Sequence, residues 1–423
     1  MNVTLEYLAV GLMILTILLA FNQVIGSLSP RLESVRSEQL FTVAERVMDK
    51  ILLTPGYPED WGYNVEVTPE TLKDFGLALA GSRSPYVLDP DKVMRLANLS
   101  TLPNPLLLNA SRLAEILALK MDFGFRFVMK PALSINVNSS CPLIDTSKGQ
   151  KRTYPSFIKI TLTNWHGVGV PNANITGMYV IVGLNPGNGN QGGVREKYVF
   201  VKNCLTNAVG VCTLDYTDEL EKYSSQKGEG SSEGGRKEVF FLIVHANWQG
   251  FVSIKGEPMT CDKISILQGY IIGNYIFVDH NVEVDEGSSG AAHVKDDLLQ
   301  AVPMYGDLLS FTGVIWCRDR EGGFRDDDPL CNAAGRVLPS AKQWYLIGYI
   351  NYVEPLASHV FVFVKYHGSW VPIVVNRTPI IDITYGAKGT VPANSVTVRR
   401  LAVLYNYPYV VELTIWRRVE GWP

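Results

Sequence analysis

Three residue types in this 423-residue chain are spaced so that chemistry could follow: cysteines that can cross-link, carboxylates that can hold a cation, and asparagines that can accept a sugar. Cys141, Cys204, Cys212, Cys261, Cys317 and Cys331 are even in number and confined to the part of the chain after residue 140, which suits an oxidising exterior. Two pairs are close in sequence, Cys204 with Cys212 and Cys317 with Cys331, which leaves Cys141 for Cys261. Other connectivities, and buried free thiols, stay open. Zinc is disfavoured because no Cys-x-x-Cys or Cys/His grouping supplies a tetrahedral set. Between Cys317 and Cys331, Asp319, Glu321, Asp326, Asp327 and Asp328 offer hard oxygen donors, and Asp326, Asp327 and Asp328 are the calcium candidates. Their spacing is not that of an EF-hand, and Arg318, Arg320 and Arg325 can offset the acids in a solvated loop. No other cofactor is expected. Sequons stand at Asn98, Asn109, Asn138, Asn174 and Asn376, with another at Asn2, as candidate glycosylation sites.

No catalytic set emerges. His166, His245, His280, His293, His359 and His367 are scattered, without a His-Glu-x-x-His helix. Ser156-Phe157-Ile158-Lys159 has the Ser-x-x-Lys spacing of acyl-serine enzymes, but the segment alternates as a strand, which sends Ser156 and Lys159 to opposite faces. The glycine-rich Leu184 to Gly193 lacks the Lys-Ser/Thr and the following helix of a phosphate loop, and reads as a hairpin turn.

The elements that must position these residues are mostly strands. Short runs alternate between Gly/Asn/Pro turns: Phe123 to Met129, Phe157 to Thr163, Gly177 to Leu184, Tyr198 to Lys202, Val239 to His245, Gly250 to Lys255, Lys263 to Ile272 and Tyr275 to Asp279. A second set follows at Trp344 to Tyr352, His359 to Tyr366, Trp370 to Val375, Ile380 to Tyr385, Val396 to Tyr405 and Tyr409 to Arg417, the last two forming a hairpin through Asn406-Tyr407-Pro408. Helices are expected at Asp89 to Asn98, at Leu108 to Met121 with Asn109 or Ser111 as cap, and over Lys295 to Val302. Ser224 to Gly235 and Glu283 to Ala292 read as polar linkers.

The start of the chain is of another kind. A charge-free apolar run from Tyr7 to Phe21 passes into an amphipathic stripe of Leu32, Val35, Leu40, Val43, Ala44, Val47, Met48, Ile51 and Leu52, which should end near Thr54 before Pro55-Gly56-Tyr57-Pro58. From Leu5 to Ile25 the helix would reach roughly 30 Å, enough to span a bilayer. A cleaved signal peptide, cut after Gly26, and a buried core helix are the competing readings. Glu6 ahead of Tyr7 to Phe21, the stripe Leu32 to Leu52, and Leu53-Thr54-Pro55-Gly56-Tyr57-Pro58-Glu59-Asp60-Trp61 after it together resemble the archaeal type IV pilin-like and single-pass cell-surface proteins. The resemblance reaches only as far as Trp61. It implies that Asn2 begins the mature helix and that Glu6, at its fifth position, is a helix-assembly residue paired with a neighbouring subunit's amino terminus.

A net charge of -3 and 19% charged residues, without a basic cluster, argue against a nucleic-acid partner. The expected fold is mainly β with a long N-terminal α-helix: a pilin-like helix followed by a small α/β region and one or two β-sandwich units. The expected divisions are 1–55, 56–130, 131–285 and 286–423. The expected function is a membrane-anchored extracellular structural or adhesive surface protein, not an enzyme. Its location would be single-pass in the cell membrane, with the large domain outside. Partners would be the lipid bilayer and other surface proteins or copies of itself. The alternatives are a filament subunit and an anchored hydrolase or glycan-processing enzyme, whose mark would be two carboxylates ~5–9 Å apart in a deep cleft.

Overall fold

Where strands are covered on both faces, their sequence need not alternate, and two stretches of this chain show it. Val180, Ile181 and Val182, and Phe241 to Val244, are buried without interruption. In the computed structural model they lie on the two central strands of a sheet that has packed layers on either side. The structure describes residues 3–99, 102–141, 143–145, 151–153, 155–185, 193–226, 237–259, 267–279, 296–301, 309–317, 331, 345–353, 357–366, 369–387 and 390–418.

The helices are α1 (Val3–Leu53), α2 (Pro90–Met94), α3 (Ala110–Ile116) and α4 (Thr217–Gln226). The strands of the first half are β1 (Phe123–Pro131), β2 (Leu133–Ser140), β3 (Leu143–Asp145), β4 (Lys151–Thr153), β5 (Phe157–Asn164), β6 (Asn174–Asn185), β7 (Gly193–Leu205), β8 (Val211–Asp215), β9 (Lys237–Trp248) and β10 (Phe251–Met259). Those of the second are β11 (Leu267–Ile272), β12 (Tyr275–Asp279), β13 (Asp296–Ala301), β14 (Leu309–Trp316), β15 (Tyr345–Ile350), β16 (His359–Tyr366), β17 (Ser369–Asn376), β18 (Ile381–Tyr385), β19 (Val396–Leu404) and β20 (Tyr407–Arg417).

β2-β5-β8 and β10-β9-β6-β7 face each other as a sandwich. Ile158, Ile160 and Leu162 of β5 meet Ile175, Tyr179 and Ile181 of β6 and Leu242 and Val244 of β9 in its core, while Lys159 is exposed. α4 closes this core with Leu220 and Tyr223. The disulfide Cys204–Cys212 ties edge strand β7 to β8 across the two sheets, and Cys317–Cys331 closes the segment after β14. Cys141 is also disulfide-bonded, and its expected partner Cys261 lies outside the described residues.

The opposite face of the β10-β9-β6-β7 sheet packs on a closed barrel, β11-β12-β15-β14-β13-β16-β17, which a short parallel pairing of β11 with β17 completes. Ile271, Ile276, Val278, Ile350, Val360, Val362, Ile373 and Val375 pack together on its inner side. The alternate residues Tyr270, Ile272, Phe277, Ile347 and Phe361 join the main core outside. A third layer is the sheet β18-β1-β20-β19, so β1 sits between strands some 250 residues or more further along (Phe127 pairs with Ile383 and Leu413). Gly124 of β1 lies under Trp416, whose Nε1 would be 2.2 Å from any added Cβ.

Two expectations need correction here. The body holds one sandwich, as expected, but among the described residues it also holds a seven-stranded barrel and the four-stranded sheet β18-β1-β20-β19, which the sequence did not suggest and which replace a simple plan of sandwich units behind a pilin-like helix. Alternation fits barrels and sandwiches alike, and it takes the non-neighbouring pairings β12 with β15, β13 with β16 and β11 with β17 to close the ring. The single-pass membrane location is also overturned, because no helix among the described residues is long and apolar enough to cross a membrane. The charge-free run Tyr7 to Phe21 covers only ~22 Å at ~1.5 Å per residue, and reaching ~30 Å recruits Glu6, Asn22 and Gln23.

Smaller differences have local causes. Lys295 to Val302, expected as a helix, supplies β13, because barrel closure demands a strand between β14 and β16 and a six-residue segment has little helical stability to oppose it. The final hairpin turns at Tyr405 and Asn406, with φ of 52° and 65°, in the left-handed two-residue turn that matches strand twist. Tyr407 and Pro408, expected in the loop, are therefore in β20.

Candidate functional site

Among the residues singled out by sequence, the fold brings few together. Ser156 is buried and hydrogen-bonded by Thr217 Oγ1 at 3.2 Å, while Lys159 points outward, so no Ser–Lys pair forms. His166 is exposed beside Trp165, and His245 is half-buried on β9. Asp319, Glu321, Asp326, Asp327 and Asp328 lie outside the described residues, as do His280, His293, His367 and the centre of the glycine-rich turn. Among the described residues, no three His, Cys, Asp or Glu side chains group as metal ligands. Asn98, Asn109, Asn138, Asn174 and Asn376 are all exposed. Asn109 caps α3, accepting from Arg112 N at 2.9 Å, and Asn376 Oδ1 accepts from Thr378 N at 2.8 Å. Glu6 belongs to α1, and its side chain lies outside the description.

What tertiary structure does assemble is a buried ionic junction between the segment around α2, the β19–β20 turn and the barrel. Asp89 caps α2 with Oδ1, accepting from Asp91 N at 3.0 Å and Lys92 N at 3.4 Å. Lys92, buried, donates to Ala78 O at 3.0 Å and lies 3.6 Å from Asp89 Oδ2. Burial, aided by the Asp91 charge, pushes the Asp89 carboxyl above its ordinary range against the pull of Lys92, and burial pushes the Lys92 amine down. Arg377, just after β17, reaches back to Asp91 Oδ1 at 3.0 Å and Ala357 O at 3.2 Å, with its guanidinium 5.3 Å from the Tyr405 ring. Tyr405 is thus buried, left-handed and stacked under a cation, a combination that only surrounding packing can hold.

One helical turn on, Arg95 is buried and donates to the carbonyls of Leu106, Trp61 and Val67, with its guanidinium 5.6 Å from the Trp61 ring. Burial lowers it to about 10, still charged at neutral pH. The cationic ends reach backbone carbonyls and carboxylates, so the arrangement clamps elements together, while the buried Tyr405 hydroxyl has no hydrogen-bond partner among the described residues. Sequence reasoning placed the α2 start at Asp89 but did not single out Lys92, Arg95, Arg377 or Tyr405. Two basic residues three apart on a short helix were the available signal, and nothing local pointed to Arg377, some 290 residues away.

A cleft of about 380 Å³ lies between the end of α1, at Leu52 and Leu53, and the loop carrying Arg83 and Tyr86. Its lining holds one carboxylate, Glu59, rather than a pair. The other prominent surface is α1 itself. Its later part docks through Leu40, Ala44, Met48, Ile51 and Leu52 and is pinned by Glu45 to Arg400 at 3.1 Å and Lys50 to Asp74 at 2.7 Å. Earlier, every residue from Gly11 to Gln23 is exposed, including Leu12, Met13, Ile14, Leu15, Ile17, Leu18, Leu19 and Phe21 at 54–66%. Thr16, the polar residue inside this run, folds its hydroxyl back onto Leu12 O and Met13 O at 3.1 and 2.8 Å. No protein-family model matches the chain, and no curated protein matches it.

Proposed function

We propose that this protein is a structural subunit of a multi-copy assembly, pilin-like in plan, in which the N-terminal helices of several copies bundle and the β body is displayed outside. The observation that carries this reading is the segment Leu12 to Phe21, apolar and exposed on all sides of a helix whose later half is locked to the body. Covering one such side chain is worth about 1.5–3 kcal/mol, so leaving eight in water is strongly unfavourable. A single flat partner covers one side of a rod. A bundle of the same rods covers all sides with the same chemistry, and Gly11, with nothing near its Cα hydrogen, permits close approach. The disulfides and the buried ionic junction suit a body built to hold its shape.

Sedimentation of the full chain without detergent tests this. Multi-copy species are expected at micromolar concentration, and Leu15→Glu with Leu19→Glu should return them to monomer while the body unfolds at an unchanged temperature. A monomeric wild-type protein, or one that floats with phosphatidylcholine vesicles without self-association, would overturn the proposal.

A further inference from the structure

We propose that the seam between barrel strand β16 and sandwich strand β10 is an acid-labile joint, released when local opening lets His359 take up a proton. His359 is buried at 1% exposure, with Nδ1 3.0 Å from Ser358 Oγ. It shares one side of β16 with Phe361, which stacks on Phe241 of β9 at 4.4 Å, and both rings press on Gly256 of β10. A Cβ there would lie 2.6 Å from Phe361 Cζ and 3.0 Å from His359 Cδ2, so the ring fills a notch with no room for water.

The groups facing this ring do not favour an imidazolium. On β10, Lys255 acts on it as a like charge and is itself 3.3 Å from Glu257. On β13 its neighbour is Ala301, and on β17 it is Asn376, followed by Arg377, whose N–H donates to Ser358 O and whose charge is paired with Asp91. From β20, Tyr407 approaches the Ser358 hydroxyl. Among the described residues no carboxylate bonds the ring. Burial, then Lys255, accordingly holds closed-state His359 down at about 3.

An opened seam exposes the ring to water, where it protonates near ~6.5. The closed form is therefore fully favoured above ~6.5, and its advantage falls about tenfold per pH unit below that, until the closed state itself titrates. The proposal stands apart from the assembly reading, since it concerns only the body.

Hydrogen exchange of the full chain between pH 7.5 and 4.5, corrected for intrinsic rates, provides the test. Amides of β10 and β16 should open about fiftyfold more at pH 4.5 than at 6.5, with β2 and β5 unchanged, and His359→Gln should remove the slope. Equal loss across β2, β5, β10 and β16, a flat wild-type profile, or a slope that survives in the variant would overturn it. Should the variant fail to fold, the contrast between strands in the wild-type protein decides alone.

Discussion

Arg95 illustrates how much one side chain can organise. It is buried, and its planar fork reaches three carbonyls from three separate stretches of the segment between α1 and β1. A lysine's three donors radiate from one nitrogen and do not match carbonyls spread around a planar fork, and a methionine donates to none. Arg95→Met should therefore cost about 3–5 kcal/mol, because buried carbonyls lose their donor and the neutral chain does not replace it. Urea unfolding of the reduced-risk pair Arg95→Met and the surface control Arg83→Met measures this, and a loss below about 1 kcal/mol would show the carbonyls finding other partners. Among the described residues the charge that acts to raise Arg95 is Glu70, which is exposed, so the clamp works through geometry more than through ion pairing.

At the scale of elements, α1 has an exposed earlier part and a docked later part. The stripe from Leu40 to Leu52 follows the expected three-and-four spacing, and its buried members meet β19 and β20 of the hairpin, where Arg400 and Arg417 reach Glu45 and Gln39. Met48→Ala should destabilise the body by about 2–5 kcal/mol, whereas Leu15→Ala should leave body unfolding within about 0.5 kcal/mol and act only on self-association. Thermal unfolding followed by near-ultraviolet dichroism separates the two. The hairpin and β13 show where element-level reading reaches its limit. The apolar pattern located β19 and β20 well, yet the turn position depended on Tyr405 tolerating a left-handed conformation under Arg377. The residues of β13, Asp-Asp-Leu-Leu-Gln-Ala, carry no strand preference, and their state is imposed by β14 and β16 on either side.

At the scale of the molecule, stability rests on layers stacked about the β10-β9-β6-β7 sheet, with the second sandwich sheet on one side and the barrel and main core on the other. Cys204–Cys212 joins the two sandwich sheets across a sequence separation of 8. Loop-closure entropy for so short a span gives about 2–3 kcal/mol. Replacing both cysteines by alanine should lower stability by that amount without altering the barrel, as read by denaturant midpoints and by exchange protection of β16. A loss confined to β16, with the sandwich unaffected, would contradict this placement of the cross-link.

The sequence by itself determined what depends on near neighbours: strand-rich composition, the face of β5 that Ile158, Ile160 and Leu162 bury, a helix starting near Asp89 and another near Asn109, the helical stripe, and the pairing of cysteines eight and fourteen residues apart. Each of these is written in periodicity, turn chemistry or short loop closure, which act over a few residues. Tertiary structure alone decided that the later strands close into a barrel, that β1 lies between β18 and β20, and that Asp91, Arg377 and Tyr405 meet. Those contacts join residues tens to hundreds of positions apart, and which strand edges meet is selected by competition among many similar β surfaces, a choice that no local pattern encodes.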